Sequence, residues 1–434
     1  MFELGIESFI KNKKWMEGLD KNCRVAFLGH QASVSQNLQS SLYLIQNYTP
    51  LTISCVIGPQ HGFKGAEQAN MLTTENEKSS LSQLENMSFK AFEDSQGIFS
   101  GLKKFKNISS KENEETKCPI FSLYSSKTRR LTKEMLSHFD AILIDLQDVG
   151  CRVYTYLTTM LYILEDCNQA NKSVWILDRP NPAGRTVEGS LLNKKFISFV
   201  GASSMPIRHG MTLGELALWY SSIKKLNIQL KVIKMNNYHP KNNPWPIQHW
   251  LMPSPNMVDE ECARCYSGTV LLEGTKVSEA RGTTFPLKAF GFPGMKTKTV
   301  LTSMVKMAPE WLTSCVLREE FFKPTFDKFK DQICSAIRIY TDTSYYRSQE
   351  FQPYRIVSLF LKNLKKHHPD FDWILPPPYE YEYEKLPIDI LSGDDFLRNW
   401  IEDEKALIGD LEEKLSLDEN LWREKRKPFL QYLI

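Results

Sequence analysis

Five apolar runs in the first 180 residues each end in side chains that can hydrogen-bond or carry charge. "RVAFLGH" (24–30) delivers His30 and Gln31, and "LTISCVIG" (51–58) runs into "PQHG" with Gln60 and His61. "PIFSLYS" (119–125) delivers Tyr124, Ser125 and then Ser126. "AILIDLQ" (141–147) delivers Asp145, Gln147 and Asp148, with Arg152, Tyr154 and Tyr156 just behind; "SVWILD" (173–178) delivers Asp178, Arg179 and Asn181. Carboxylates, amides, guanidinium groups and phenols together suit a sugar. Hydroxyls take bidentate partners, ring faces take aromatic side chains, and a glycosidic bond needs a proton donor. In an open parallel sheet, ligands bind beyond the carboxyl ends of the strands. Five polar ends on one edge are therefore expected to form a site rather than five capped loops.

Other chemistries have less support. No GxGxxG follows the first run, and the chain has no GxxxxGK[ST] and no GxSxG, so nucleotide-binding and α/β-hydrolase readings fall away. His30, His61 and His209 can approach Asp145 or Asp148, but not at the spacing of a ligand set, and neither a metal nor another cofactor is expected. Cys262 and Cys265 form a single CxxC with no second pair, which reads as structural. Lys+Arg is 54 against Asp+Glu 51, a net charge of +3, which gives no reason to expect nucleic acid or an anionic membrane as partner. The first residues lack an apolar signal core and no apolar stretch is long enough to span a bilayer, so neither a leader nor a membrane helix is expected. Nine irregularly spaced cysteines, several inside apolar runs, suggest reduced buried thiols and a cytoplasmic location.

The elements that must position these residues follow from periodicity. Apolar runs alternate with helical patterns such as 153–170, which argues for an α/β fold with a parallel sheet covered on both faces. Thr212 and Glu215 form a capping box ahead of an apolar helical run, and "LKVIKM" (230–235) reads as a further strand. From about residue 240, clusters of Pro, Trp and Gly connect short runs. They lead to a strand in "SAIRIYTD", a helix over 352–368 and charged helices from 392. The 434 residues suggest two domains: 1–225, α/β, with an exposed Ser/Glu/Lys/Asn-rich insertion at 80–117, and 226–434, a smaller α+β domain that closes a cleft. The Tyr/Glu run at 379–384 reads as an edge strand or extended loop.

Longer blocks carry a resemblance. "GPQHGFKG", "IDLQDVGCRVYTYLTTM", "LDRPNPAGRTVEGSLL", "SFVGASSMPIRHGMTLGELA", "WLMPSPNM", "YSGTVLLEGTKVSEARGTTFP" and "YEYEYEKLPIDILSGDDFLRNWI" resemble, in order, the blocks of the exo-β-N-acetylmuramidase family, glycoside hydrolase family 171. The likeness runs from about residue 4 to the C-terminus, apart from 80–117. It implies a Rossmann-like N-terminal domain, a smaller C-terminal domain and a site in the cleft between them. The implied reaction removes a terminal N-acetylmuramic acid from the non-reducing end of peptidoglycan fragments, so the implied partner is a muramyl glycan fragment. Many members of the family carry Glu in the P-x-H-G loop, as a favoured catalytic candidate; this chain has Gln60. An amide cannot protonate a leaving oxygen; it can only position. Lys276, Ala280 and Lys288 also depart from the family pattern, where Asn, Gly and Glu stand.

The catalytic candidates are therefore Asp148, Asp145, Glu273 and Glu188. The structural alternatives are that Asp145 caps the helix beginning near Arg152 and that Asp148 pairs with an arginine. Arg152 and Arg179 suit a bidentate clamp on a lactyl carboxylate, or else a salt bridge to the nearby aspartates. Gln60, His61, Gln147, Tyr154, Asn181, His209 and Arg281 are expected at the substrate. Asn256, in "PSPN", contacts an acetamido group or stabilises its own turn. Tyr154, Tyr156, Trp245 and Trp250 offer stacking surfaces or pack in the core. Three functions stay open: an exo-muramidase, the same fold acting on another amino-sugar glycoside, and a catalytically silent sugar-binding protein.

Overall fold

The computed structural model describes residues 1–19, 22–60, 62–63, 118–125, 129–376 and 383–432. His61, Ser126, the 80–117 insertion and most of the Tyr/Glu run lie outside the described residues.

The alternation read from the sequence forms a six-stranded sheet in the order β3-β2-β1-β4-β5-β6. Its strands are β1 (Arg24–Gly29), β2 (Thr52–Gly58), β3 (Ile120–Ser122), β4 (Ala141–Asp145), β5 (Ser173–Leu177) and β6 (Leu230–Ile233), all paired parallel. β4 is buried at every position and β1 at all but its first, because helices cover both faces. Val25, Phe27 and Leu143 point to one core with Ile6, Phe9 and Leu44. Ala26, Leu28 and Ile142 point to the other with Leu157, Met160 and Leu164 of the helix Thr155–Gln169. This is the two-residue period of a strand buried on both sides. β6 pairs with β5 although it lies beyond residue 225, where the sequence divides into two patterns. The first sheet therefore draws on residues past that division.

The expected capping box forms: Thr212 Oγ1 accepts from Glu215 N at 3.3 Å, and Glu215 Oε2 accepts from Thr212 N at 3.0 Å. A second, antiparallel sheet follows, with β7 (Ala289–Phe292), β8 (Val316–Phe322) and β9 (Cys334–Tyr340) in the order β7-β9-β8. The helix Pro353–His367 packs beside it. Buried residues of this half, among them Leu271, Phe290, Tyr354 and Trp422, continue the core that starts under the first sheet. The last long helix, Ile408–Arg426, returns to the N-terminal half. Asp418 and Glu419 accept from the backbone of Leu191 and Gly189, and the Trp422 indole donates to His209 O. Cys262 and Cys265 lie one turn apart on the helix Glu260–Thr269, both buried as free thiols. No described helix is long and apolar enough to cross a membrane.

Candidate active site

The sheet order reverses between β1 and β4, so ligand chemistry is expected at the carboxyl ends of these strands. The crevice there is stitched shut. His30 N donates to Ser33 Oγ at 2.9 Å, Ser33 Oγ donates to Asp145 O at 2.5 Å, and Gln147 N donates to His30 Nε2 at 3.1 Å. The space remaining beside Gln147, Arg179, Trp245 and His249 is ≈ 10 Å³. That holds about one water and no sugar ring.

Several predicted site residues are committed to the fold. Asp145 is fully buried and paired with Arg179 through both of its oxygens: Arg179 Nε donates to Oδ1, and Nη2 donates to Oδ2 at 3.0 Å. Arg179 Nη2 also donates to Val34 O at 2.7 Å. Asp145 thus caps no helix, and Arg179 has its bidentate face filled without a ligand. Arg152 is wholly buried and donates to three carbonyls, those of Ser190, Met205 and Leu391 at 3.0, 2.7 and 2.9 Å. It ties the helix start to the C-terminal half, and burial pulls its guanidinium below the ordinary value. Glu188 is also wholly buried. Its carboxyl accepts from the backbone of Tyr354 and Arg355 at 3.2 and 2.9 Å, which caps the helix Pro353–His367. Burial pushes its carboxyl up to about 7. Asn181 forms an Asx turn onto Ala183 N and donates to Gly184 O and Met211 O. It lies so near Gly150 that a Cβ there would sit 2.2 Å from its Oδ1. That contact is why the D-V-G and R-P-N-P blocks belong together.

A second group keeps polar capacity in hand. Asp148 Oδ2 accepts from Gly150 N at 2.7 Å and lies 3.5 Å from His209 Nε2. Asp148 Oδ1 and Gln147 Oε1 are buried with no hydrogen-bond partner among the described residues. His209 Nδ1 accepts from Met211 N at 3.2 Å, so the ring proton belongs on Nε2, facing Asp148. No arginine pairs with Asp148 among the described residues. Beside it, the Tyr154 hydroxyl sits next to Ser254 and Tyr156 without reaching hydrogen-bond geometry. Tyr156 donates to Pro253 O at 2.6 Å and Gln31 Nε2 donates to Met252 O at 2.7 Å. These bonds draw the "PSPN" turn, with Asn256 nearly buried, over the strand ends. Trp245 and Trp250 pack against each other at 4.8 Å, and the Trp250 indole donates to Met257 O.

Gln60 follows β2. Gly58 leaves no room for a side chain, since a Cβ there would meet Phe63 N at 2.8 Å, and Gly62 N closes the turn onto Pro59 O at 3.1 Å. Thr155 Oγ1, in the first turn of the helix after β4, donates to Gln60 Oε1 at 2.5 Å. With its oxygen engaged, the amide presents Nε2–H donors to whatever lies beyond. Thr155 escaped the sequence reading. A hydroxyl at a helix start, next to Tyr154, was the available signal.

Residues of the C-terminal half adjoin this group. Tyr266 meets Tyr154 edge-on at 6.1 Å. Close behind are Glu273 and Arg281, joined at 2.7 Å. Arg281 Nε also donates to Glu279 Oε1 at 2.8 Å, and Lys328 donates to Glu279 Oε2 at 3.0 Å. Burial works against the Arg281 charge, yet Glu273 and Glu279 hold its guanidinium above the ordinary value. Burial also works against the Glu279 carboxylate, which Lys328 and Arg281 nonetheless hold below its own. The Glu273 side chain is 17% exposed against 0% for Asp145 and Glu188, which makes it the most accessible predicted carboxylate. Lys288 is turned away onto Asp259 and Glu261.

Known proteins share this architecture. A DUF1343-family crystal structure from Bacteroides fragilis NCTC 9343 superposes with a TM-score of 0.76 at 22% identity, covering 100% of this chain and 99% of that one. A second from the same organism gives 0.69 at 22% identity, with the same coverage. These show a common fold. In sequence, the chain is 29% identical over 405 residues to the peptidoglycan β-N-acetylmuramidase NamZ of Bacillus subtilis (strain 168), covering 92% of this chain and 84% of that protein. The N-terminal model of the exo-β-N-acetylmuramidase NamZ matches residues 75–261, and the C-terminal model matches 264–432. With both halves matched in order, the chain belongs to the NamZ family of exo-β-N-acetylmuramidases.

Proposed function

We infer that this protein is a glycoside hydrolase that releases terminal N-acetylmuramic acid from the non-reducing end of peptidoglycan fragments. The observation that carries this reading is family membership over both halves, joined to a buried carboxylate oxygen, Asp148 Oδ1, with no partner among the described residues. Asp148 is assigned as the proton donor. Its buried Oδ1 lacks a partner among the described residues, and an unsatisfied buried acceptor costs roughly 1–3 kcal/mol, which a sugar hydroxyl relieves. In the reaction, the acid gives its proton to the glycosidic oxygen, the bond from that oxygen to C1 breaks, and water supplies the new oxygen on C1 while its released proton returns to a carboxylate. Glu273 is assigned as the second carboxylate. Gln60, His61 and Asn256 orient the sugar, and Tyr154 with Tyr266 forms the apolar floor. Nine cysteines outside any disulfide, eight of them buried, support a cytoplasmic place of action on recycled fragments.

The test is turnover of a muramyl–glucosamine disaccharide. Release of N-acetylmuramic acid, and only from the non-reducing end, is expected; no release, or release of glucosamine from a glucosamine-terminated glycan instead, would defeat the reading. A second reading rests on Gln60, which leaves the loop without its carboxylate: a silent sugar-binding protein. In that case wild type is inert and Gln60→Glu raises the rate by roughly 10²–10⁴-fold, the range of general acid catalysis.

A further inference from the structure

Behind the active-site wall, a cavity of ≈ 230 Å³ opens between residues 183–187, residues 240–244 and the end of the helix Ile408–Arg426. Four cationic side chains line it, Arg185, Lys241, Arg423 and Arg426, and no acidic one does among the described residues. Two of the four are neutralised from outside. Arg185 is clamped by both oxygens of Glu215 at 2.5 and 2.6 Å, and Arg423 reaches Glu419 at 3.1 Å. The other two are not. Arg426 is nearly buried, and among the described residues its guanidinium bonds only to carbonyls: those of His209, Gly210 and Arg185 at 3.1, 2.6 and 2.9 Å. Lys241 makes no ion pair among the described residues and stands exposed at the rim. A buried cation without a counter-ion is costly, and Arg426, with the unpaired Lys241 at the rim, sets up a field in the cavity that an anion relieves.

We propose that this cavity is a binding site for a small hydroxylated oxyanion: a phosphate or carboxylate group on a sugar-sized body. Its volume equals about seven or eight waters, too large for a bare ion alone. Ser348 and Gln349 on the same wall offer hydroxyl and amide partners for the body, while planar guanidinium groups suit an oxyanion head. Burial, with Arg185 and Arg423 nearby, lowers the Arg426 guanidinium to about 10, so it remains a cation at neutral pH. Because Arg426 holds the carbonyl of His209, whose ring faces Asp148, an occupant sits one side chain away from the active-site wall.

The experiment is a melting titration of the intact protein, read without turnover, in buffers matched for ionic strength with chloride. The probes are inorganic phosphate, glucose 6-phosphate and N-acetylmuramic acid. A ligand that binds only the native state raises the melting temperature saturably. Saturation near or below about 1 mM is expected for at least one probe, a free energy of about 4 kcal/mol. Phosphate alone saturating would assign the head group. Only the sugar phosphate doing so, or only N-acetylmuramic acid with its shift lost in the cavity variant below, would name the source. The double variant Lys241→Ala/Arg423→Ala keeps the buried arginines and is expected to weaken that midpoint by about tenfold or more while melting at the wild-type temperature without ligand. No saturable shift with any probe, or the same midpoint in the double variant, would overturn the proposal.

Discussion

Arg152 was expected at the substrate, but it lies wholly buried among the carbonyls of Ser190, Met205 and Leu391. The two roles separate cleanly in Arg152→Met, which keeps the stem and removes the donors. Each buried carbonyl left without its partner costs about 1–3 kcal/mol. Three of them give at least about 3 kcal/mol, and relief of the buried charge returns part of that. A net loss of roughly 2–4 kcal/mol follows, or a fall in melting temperature of about 5–10 °C for a cooperative unit of some 200 residues. The assay pairs thermal melting with steady-state kinetics measured well below the melting point. A clear drop in melting temperature with KM within about twofold of wild type is expected. An unchanged melting temperature with KM raised tenfold or more would refute the structural role and restore the lactyl clamp.

Further expectations concern neighbouring residues. Glu188 sits in the fold with its carboxyl raised to about 7 from an ordinary 4.5, so the native state holds a proton that the unfolded chain has released. Stability from this group is full below about pH 4.5 and is lost as pH rises toward 7. Wild type should lose on the order of 3 kcal/mol relative to Glu188→Gln across that window; denaturant midpoints of the pair at several pH values decide it, and a difference that stays constant, or moves in favour of wild type as pH rises, would show the carboxylate ionised throughout. Thr155→Val removes the hydroxyl that fixes the Gln60 amide and should raise KM about 2–10-fold, the value of one hydrogen bond. Gln60→Ala should add little on top of it, because the two residues act as a unit; fully additive effects would separate them. Asp145→Asn leaves the buried Arg179 unpaired and should cost about 3–5 kcal/mol in denaturant unfolding, whereas a stable but inactive variant would return Asp145 to catalysis.

The sheet was legible because its strands are buried on both faces and so read as unbroken apolar runs, from "RVAFLG" to "SVWIL". The Thr212–Glu215 box was legible because both partners lie within four residues. The fate of the polar strand ends was not, because sequence shows what a side chain can bond but not which distant group reaches it. Arg179 meets Asp145 across 34 positions, and Glu188 meets its helix start across 166. Each is a long-range choice made by packing. The residues with unused capacity, Asp148 and Gln147, carry the same side chains as their committed neighbours, and only the folded chain tells them apart.

The most direct measurement is a crystal structure of Asp148→Asn with a muramyl–glucosamine disaccharide. The muramyl ring is expected against Tyr154 and Tyr266, with its leaving oxygen within about 3 Å of the residue 148 side chain and the Gln60 amide donating to the sugar. A disaccharide bound with another carboxyl group at that distance and residue 148 remote from the glycosidic oxygen would contradict the assignment of Asp148.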